Sequence, residues 1–262
     1  MNKNFISDKN NSNPSYLYEL MRNKLILQIP ILDKKNKLKA LFVHKSLLKK
    51  EKEIISNSVV LMAGGFGKRL KPLTNNCPKP MIELNGEPML EILIKKLRDK
   101  GFKDFFISVN YLKEKIINYF DDGSEWGVKI KYLIENKPLG TAGSLSLLPN
   151  NLTEPILLMN ADVLTEFDPL HLLMFHNKNN AKATLSVLED KYQVPFGVVE
   201  TKGIELSSFI EKPEFVHQIN AGIYILDPEI LNLLKKDYKI DMPSLLMLAK
   251  QRNHKVIVCP IH

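Results

Sequence analysis

Apolar and polar positions alternate in blocks along the chain from residue 58 onward. The short runs SVVLMA, DFFISVN and PILLMN are almost wholly apolar, which predicts strands that are buried on both faces. Between them, PMLEILIKKLRDKG carries its apolar residues at helical spacing and ends at Gly101, a typical helix stop. Strands that alternate with helices predict an α/β fold, with an open, mostly parallel sheet and helices on both of its faces.

This alternation continues to the end of the chain. The further predicted helices are YLKEKIINYFDDG, TAGSLSLL, DPLHLLMFHNK, PEILNLLKK and DMPSLLMLAKQR. The further predicted strands are VKIKYLIE, ATLSVLE, FGVVE, ELSSFIE, AGIYILD and KVIVCPI. Ligands of such sheets bind beyond the carboxyl ends of the strands, so the loops that follow the strands are expected to carry the functional residues.

Residues 1–57 follow a different pattern and are predicted to be separate from the α/β domain of residues 58–262. They contain, in order, an apolar run at 25–32, a polar turn at 33–36, a second apolar run at 38–43 and a helical stretch from near Ser46. These features predict two strands joined by a turn and followed by a helix.

The strand–turn–strand–helix order of IPILDKKNKLKALFVHKSLLKK resembles the end of a CBS motif, a module that is used in pairs to bind adenosine ligands. The segment corresponds to only one part of such a pair. The resemblance implies one of two roles for residues 15–50. They would form a structural segment that supports a homo-oligomer, or they would bind an adenine nucleotide.

The formal net charge of +8 is concentrated in residues 1–57, which hold 12 Lys and Arg against 5 Asp and Glu. Residues 58–262 therefore carry a net charge of only about +1, which argues against nucleic-acid binding because that function calls for a basic stripe on the main domain. Cys77 and Cys259 have no CxxC partner, which excludes a zinc site and suits a reducing compartment. No apolar run approaches the ~20 residues that span a bilayer, so a cytoplasmic protein without membrane contact is expected.

The loop after the first strand of the domain, LMAGGFGKRLKPLTNNCPKPM, combines glycines, basic residues and prolines. Glycines let backbone N–H groups approach an anion closely. Two familiar phosphate loops are excluded, because a Walker A loop requires Ser or Thr at Arg69 and a dinucleotide fingerprint requires Gly at Leu70. The basic residues that accompany the glycines are Lys68, Arg69, Lys71 and Lys79.

This loop resembles the signature of the sugar-1-phosphate nucleotidyltransferases, which reads G-G-x-G-x-R-L-x-P-L-T and then P-K-P-M. The segments KPLGTAGSL, NADVL, VPFGVVE, IEKP and NAGIY resemble further motifs of that family and occur in the family's order. The resemblance covers the chain from Ser58 to its end. It implies the Rossmann-like nucleotide-diphospho-sugar transferase fold and an enzyme that joins a nucleoside monophosphate to a sugar 1-phosphate with release of pyrophosphate.

The resemblance also implies roles for individual residues. The implied nucleotide-binding residues are Met62, Ala63, Gly64, Gly65, Gly67, Lys68, Glu135, Gly140 and Thr141. The implied catalytic residues are Arg69 for the departing pyrophosphate, Lys79 for the α-phosphate, Asp162 as the Mg²⁺ ligand and Lys212 for the phosphate of the sugar. The implied sugar-binding groups are the backbone at Gly197 and the side chains of Glu211 and Asn220.

Fewer residues indicate which nucleotide base and which sugar 1-phosphate the enzyme would use. Guanine presents two adjacent donors that a carboxylate accepts together, so Glu135 favours GTP over UTP or dTTP, which remain the alternatives. The CBS-like segment combined with this domain resembles guanylyltransferases that act on glucosamine 1-phosphate and supply nonulosonic (legionaminic) acid synthesis. A regulatory, ligand-sensing homologue is the alternative to an enzyme.

One departure from the family pattern concerns the metal. Members usually supply a second metal carboxylate in a W-x-D-x-G context, after the strand that here ends at Pro260, and this sequence ends at His262. The last acidic residue, Asp241, is interpreted as a helix N-cap. Either the sequence is truncated relative to a natural protein, or Mg²⁺ is held by one Asp and the substrates. The chain as written is expected to bind nucleotide and to turn over slowly.

Overall fold

The computed structural model describes residues 7–8, 13–24, 26, 28–43 and 55–261. The chain forms two compact units, Met1–Glu53 and Ile54–His262. None of the helices within the described ranges is long and apolar enough to cross a membrane.

The N-terminal unit contains a helix and a strand hairpin. Its elements are α1 (Pro14–Lys24), β1 (Gln28–Leu32) and β2 (Leu38–Val43), and the two strands pair antiparallel. The predicted strands and turn are confirmed, and the Asp33 carboxylate closes the turn by accepting the Lys35 and Lys37 N–H groups at 2.8 Å each.

Helix α1 was not predicted. Its apolar residues Leu17 and Met21 lie one turn apart and pack on Ile29 and Ile31 of β1, which is the reason that this stretch is helical. The helix expected from near Ser46 lies outside the described residues. The CBS-like interpretation of residues 15–50 stays a prediction.

The second unit is built on one large sheet. The strands of this unit are β3 (Val59–Met62), β4 (Glu83–Leu84), β5 (Glu87–Pro88), β6 (Asp104–Val109), β7 (Lys129–Ile134), β8 (Ile156–Asn160), β9 (Ala183–Gln193), β10 (Val198–Lys202), β11 (Glu205–Ile210), β12 (Glu214–Leu226) and β13 (Val256–Pro260). Seven of them form the sheet in the order β13-β9-β12-β8-β3-β6-β7. Only β12 runs against its neighbours, which confirms the mostly parallel sheet.

Helices cover both faces of this sheet. They are α2 (Met89–Asp99), α3 (Lys113–Phe120), α4 (Gly140–Gly143), α5 (Pro169–Lys178) and α6 (Met242–Gln251). Successive residues of β3 point to opposite faces, so Val59 and Leu61 pack in the cluster with α2, α3 and α5, whereas Val60 packs in the cluster with α4 and α6. The strand is apolar throughout because both of its faces are buried.

Two predicted helices differ from expectation. PEILNLLKK forms a 3-10 helix at Pro228–Leu233, and TAGSLSLL is divided into the single turn α4 and a 3-10 helix at Ser144–Leu147. Both stretches are too short to sustain α-helix without tertiary support.

Strand β12 begins earlier than predicted. AGIYILD was expected to start the strand at Ala221, but pairing with β9 extends it back to Glu214. The paired residues 188–193 and 214–219 pass beyond the carboxyl edge of the sheet, and the β10–β11 hairpin connects them. We call residues 188–219 the arm.

Candidate active site

The parallel strands β8, β3, β6 and β7 are neighbours and end at the same edge of the sheet. Their carboxyl ends surround a cavity of about 280 Å³. The described residues that line it are Met62, Ala63, Gly64, Gly65, Phe66, Lys79, Pro80, Ser108, Glu135, Pro138, Gly140, Thr141, Asn160, Asp162 and Asp241. This is the place where an open α/β sheet binds its ligands.

The loop after β3 presents its backbone to the cavity. Its first residue is tied to the neighbouring strand, since the Ala63 N–H donates to the Ser108 carbonyl oxygen at 3.0 Å. Gly64 then packs directly on Glu135, and a Cβ at Gly64 would lie 2.6 Å from Glu135 Oε1. Glycine is required here because the loop backbone touches a buried carboxylate.

Glu135 forms part of the cavity wall, and only 6% of its surface is exposed. Its Oε2 accepts the Leu139 N–H at 3.0 Å, and Asn110 donates to its carbonyl oxygen at 2.8 Å. Burial raises the pKa of the Glu135 carboxyl, and the hydrogen bonds from Leu139 and Ser108 partly offset that rise. The carboxylate therefore fixes the turn after β7 as well as facing the cavity.

Lys79 and Asp162 form an ion pair on the cavity wall. Lys79 begins the 3-10 helix Lys79–Met81, and Asp162 lies two residues past the end of β8. Each side chain is 33% exposed, so an anion can reach the ammonium and a cation can reach the carboxylate. In the part of the chain that the structure describes, no group of three or more His, Cys, Asp or Glu side chains could hold a metal, so Asp162 would need ligands from substrates or water.

The sequence profile of the family described as "Nucleotidyl transferase" matches residues 58–251. The chain belongs to this family.

Two curated relatives are mannose-1-phosphate guanyltransferases. The protein from Yarrowia lipolytica is 38% identical over 183 residues, which is 67% of this chain and 50% of that protein. The protein from Saccharomyces cerevisiae is 34% identical over 204 residues, which is 74% of this chain and 56% of that protein. The chain thus spans about half the length of the curated relatives it matches.

Solved structures of HddC from Yersinia pseudotuberculosis have the same fold. One superposes with a TM-score of 0.59 and 25% identity, and covers 79% of this chain and 92% of that chain. Another, in complex with GMP-PN, superposes with a TM-score of 0.55 and 26% identity over the same shares of the two chains.

The nucleotidyl transferase cavity gathers most of the nucleotide-binding residues expected from the sequence. These are Met62, Ala63, Gly64, Gly65, Glu135, Gly140 and Thr141, together with the expected catalytic residues Lys79 and Asp162. Gly67 and the exposed Arg69 are not among the described residues that line it. They lie at the 3-10 helix Lys68–Leu70, of which Lys68 is the first residue.

The residues expected to bind the sugar lie in the arm or at its base. Gly197 packs on Glu211, since a Cβ at Gly197 would lie 3.0 Å from Glu211 Oε2. Lys212 is exposed and has a positive φ of 45°. At the base of the arm, Asn220 donates to the Tyr224 hydroxyl at 2.8 Å and accepts the Gly222 N–H at 2.9 Å. None of these predicted sugar-binding residues lines the 280 Å³ cavity.

Three polar lining residues were not predicted to belong to the site. Asn160 lies within the motif NADVL but was given no function, and Ser108 was predicted only to lie in a strand. The third residue is Asp241, which stands at the N-cap position of α6 as expected, although its side chain does not cap that helix. Its Oδ1 instead accepts the Thr141 N–H at 3.1 Å. Local sequence could not indicate this contact, because its partners are 100 residues apart.

Proposed function

We propose that this chain transfers GMP from GTP to a hexose 1-phosphate and releases pyrophosphate. The observation that carries the proposal is the accessible Lys79–Asp162 ion pair beside a backbone loop at the carboxyl edge of the sheet. One member of the pair suits a phosphate and the other suits a cation that accompanies it. A nucleoside triphosphate bound with a divalent cation brings both.

The reaction needs charge neutralisation more than acid–base chemistry. A sugar 1-phosphate has a second pKa near ~6 and is largely a dianion at neutral pH, so no general base has to remove a proton. One of its oxygens forms a bond to the α-phosphorus of GTP, and the bond from that phosphorus to the bridging oxygen of pyrophosphate breaks. Two anions must meet, so the enzyme has to hold them in line and offset their charge.

Several residues of the cavity have a part in this scheme. The backbone from Ala63 to Gly65 would approach the triphosphate, and the Lys79 ammonium, which also lines the cavity, would bind the α-phosphate. In the free protein Lys79 and Asp162 neutralise each other. Arg69 and Lys212 would complete the site from the Lys68–Leu70 turn and from the arm.

The Asp162 site fits Mg²⁺. This cation is commonly held by one or two carboxylates together with substrate phosphates and water, and Asp162 supplies one accessible carboxylate on the cavity wall. When bound there, Mg²⁺ would neutralise charge on the phosphates of the nucleotide. The chain's own contribution is to place the Asp162 carboxylate at the end of a buried strand.

Two arguments support GTP and a hexose 1-phosphate. Glu135 is a buried carboxylate on the wall of the cavity, suited to the two donors of guanine. The curated relatives are named for guanylyl transfer to mannose 1-phosphate. Mannose 1-phosphate is therefore the first sugar to test, and glucosamine 1-phosphate, favoured by the resemblance of the sequence, is the second.

The test is a pyrophosphate-release assay with Mg²⁺ that crosses the four NTPs with mannose, glucosamine and glucose 1-phosphates. We expect release with GTP and one sugar, and loss of that release in Asp162→Ala. Asp168→Ala is the matched control, since Asp168 is an exposed carboxylate that caps α5 and does not line the cavity. GTP binding without release for any sugar would indicate a ligand-sensing homologue, and failure to bind any NTP would refute the proposal.

A further inference from the structure

Two helix starts face each other beside the cavity and cap each other. The Thr141 N–H, in the first turn of α4, donates to Asp241 Oδ1 at 3.1 Å. In return the Met242 N–H, at the start of α6, donates to Thr141 Oγ1 at 2.8 Å. The first N–H groups of a helix lack partners within the helix and are usually capped by a local side chain. Here each helix takes its cap from the other.

The backbones of the two segments are also joined. The N–H groups of Ala142 and Gly143 donate to the Ile240 carbonyl oxygen at 3.0 and 3.1 Å, and the Ile240 N–H donates to the Leu139 carbonyl oxygen at 2.9 Å. Gly140 has a φ of 79°, and a Cβ on it would lie 2.6 Å from both Asp241 Oδ1 and the Ile240 carbonyl oxygen. The segments thus approach too closely for a side chain at position 140.

The two helices differ in how firmly they are held. Helix α4 is a single turn, which cannot hold its own conformation in water. Helix α6 has 10 residues and buries Met242, Leu245 and Leu246 in the core. Helix α4 therefore depends on its contacts with α6 to keep its helical conformation. Both Thr141 and Asp241 are exposed on the cavity wall, where they can affect a ligand.

We propose that Asp241 is a positioning residue for the nucleotide: its bond to Thr141 holds residues 140–141 in the conformation that GTP requires. This inference deepens the proposed function and rests on it. An ordered turn contributes to affinity because the nucleotide then does not have to order it on binding. Loss of the bond should weaken nucleotide binding and leave the affinity for the sugar 1-phosphate largely unchanged, since the arm and its base carry the predicted sugar residues.

The experiment measures the Kd of Mg²⁺·GTP by calorimetry for the full chain and for Asp241→Ala and Asp241→Asn. We expect Asp241→Ala to raise the Kd about 10-fold, and Asp241→Asn to recover most of that loss because its amide oxygen still accepts the Thr141 N–H. The KM of the sugar 1-phosphate should change less than about 2-fold in Asp241→Ala.

Asp168→Ala is the control for a purely structural effect. Asp168 Oδ1 accepts the Leu170 N–H at 3.2 Å and so caps α5 in the ordinary local way, outside the cavity. We expect this variant to lower Tm by an amount similar to that of Asp241→Ala, with the Kd of GTP unchanged.

The outcomes separate this inference from the proposed function. If the unaltered chain binds GTP and Asp241→Ala binds it equally well, the inference is wrong and the proposed function stands. The inference is equally wrong if Asp241→Asn binds GTP as weakly as Asp241→Ala, or if Asp168→Ala weakens GTP binding as much as Asp241→Ala does. If the unaltered chain binds no NTP, the proposed function fails and the inference fails with it.

Discussion

The nucleotide cavity and the arm are supported in different ways. The cavity is built on the ends of strands such as β3, whose Val60 and Leu61 are 0% exposed, and it is closed by the α4–α6 contact. The arm carries apolar residues in solvent, among them Phe196 at 74% and Ile204 at 102% exposure. Its β10–β11 hairpin is only two strands wide, and such hairpins are marginally stable alone.

The cavity thus rests on the core, whereas the arm does not. Under the proposed function, transfer requires fixed charges near the α-phosphorus, and Lys79 and Asp162 would supply them from a 3-10 helix and from the end of a buried strand. Sugar selection would fall to the arm, whose sequence can change without disturbing the core. Substitutions in the cavity should therefore affect the reaction strongly, and those in the arm should affect only sugar use.

The largest effect is expected at Lys79. Lys79→Met removes the positive charge that we propose binds the α-phosphate, and we expect kcat/KM for pyrophosphate release to fall about 100- to 1000-fold. Lys103→Met is the control, because Lys103 is partly buried and donates to the Gly127 carbonyl oxygen away from the cavity. If both variants retain full activity in initial-rate assays, the cavity is not the site of transfer.

A smaller effect is expected at Gly64. Gly64→Ala places a Cβ 2.6 Å from Glu135 Oε1, which should lower the free energy of unfolding by about 1–3 kcal/mol and weaken GTP binding. Gly65→Ala is a matched control, since nothing lies within 4 Å of its Cβ position. Urea unfolding of the two variants checks this, and equal stability would show that the loop does not need its contact with Glu135.

In the arm, Lys212→Ala tests whether the arm binds the sugar substrate while the cavity binds the nucleotide. We expect the KM of the sugar 1-phosphate to rise about 10-fold because the proposed contact of Lys212 with its phosphate is lost, and the Kd of GTP to stay within about 2-fold. Initial rates and calorimetry measure the two quantities. A rise in the Kd of GTP as large as the rise in KM would show that the arm and the cavity bind the same substrate.

The smallest effect is expected at the tip of the arm. Ile204 is fully exposed, so Ile204→Ser should change the free energy of unfolding by less than about 0.5 kcal/mol. Denaturant unfolding measures it. A loss above ~2 kcal/mol would mean that another surface covers this residue in solution.

The sequence alone predicted the strands that are buried on both faces. Strands β3, β6 and β8 are buried on both faces, so their apolar runs had one good interpretation. The phosphate loop was recognisable because its glycines and Lys79 are close in sequence. The family profile over residues 58–251 confirmed the family that this loop indicated.

Features that depend on distant contacts were not predictable. The early start of β12 at Glu214 comes from pairing with exposed residues of β9, which leave no clear pattern of burial. Asp241 has the local sequence of an N-cap and was interpreted as one, but Thr141, 100 residues away, takes its hydrogen bond. The position of Lys212 outside the cavity likewise depends on how the arm leaves the sheet.

Under the proposed function, Asp162 binds the cation that accompanies a triphosphate in this cavity. The most direct measurement is a calorimetric titration of GTP, with and without Mg²⁺, for the full chain and for Asp162→Asn. We expect Mg²⁺ to tighten GTP binding about 10-fold or more in the full chain and to have little effect in the variant. An equal effect of Mg²⁺ on both proteins would contradict it.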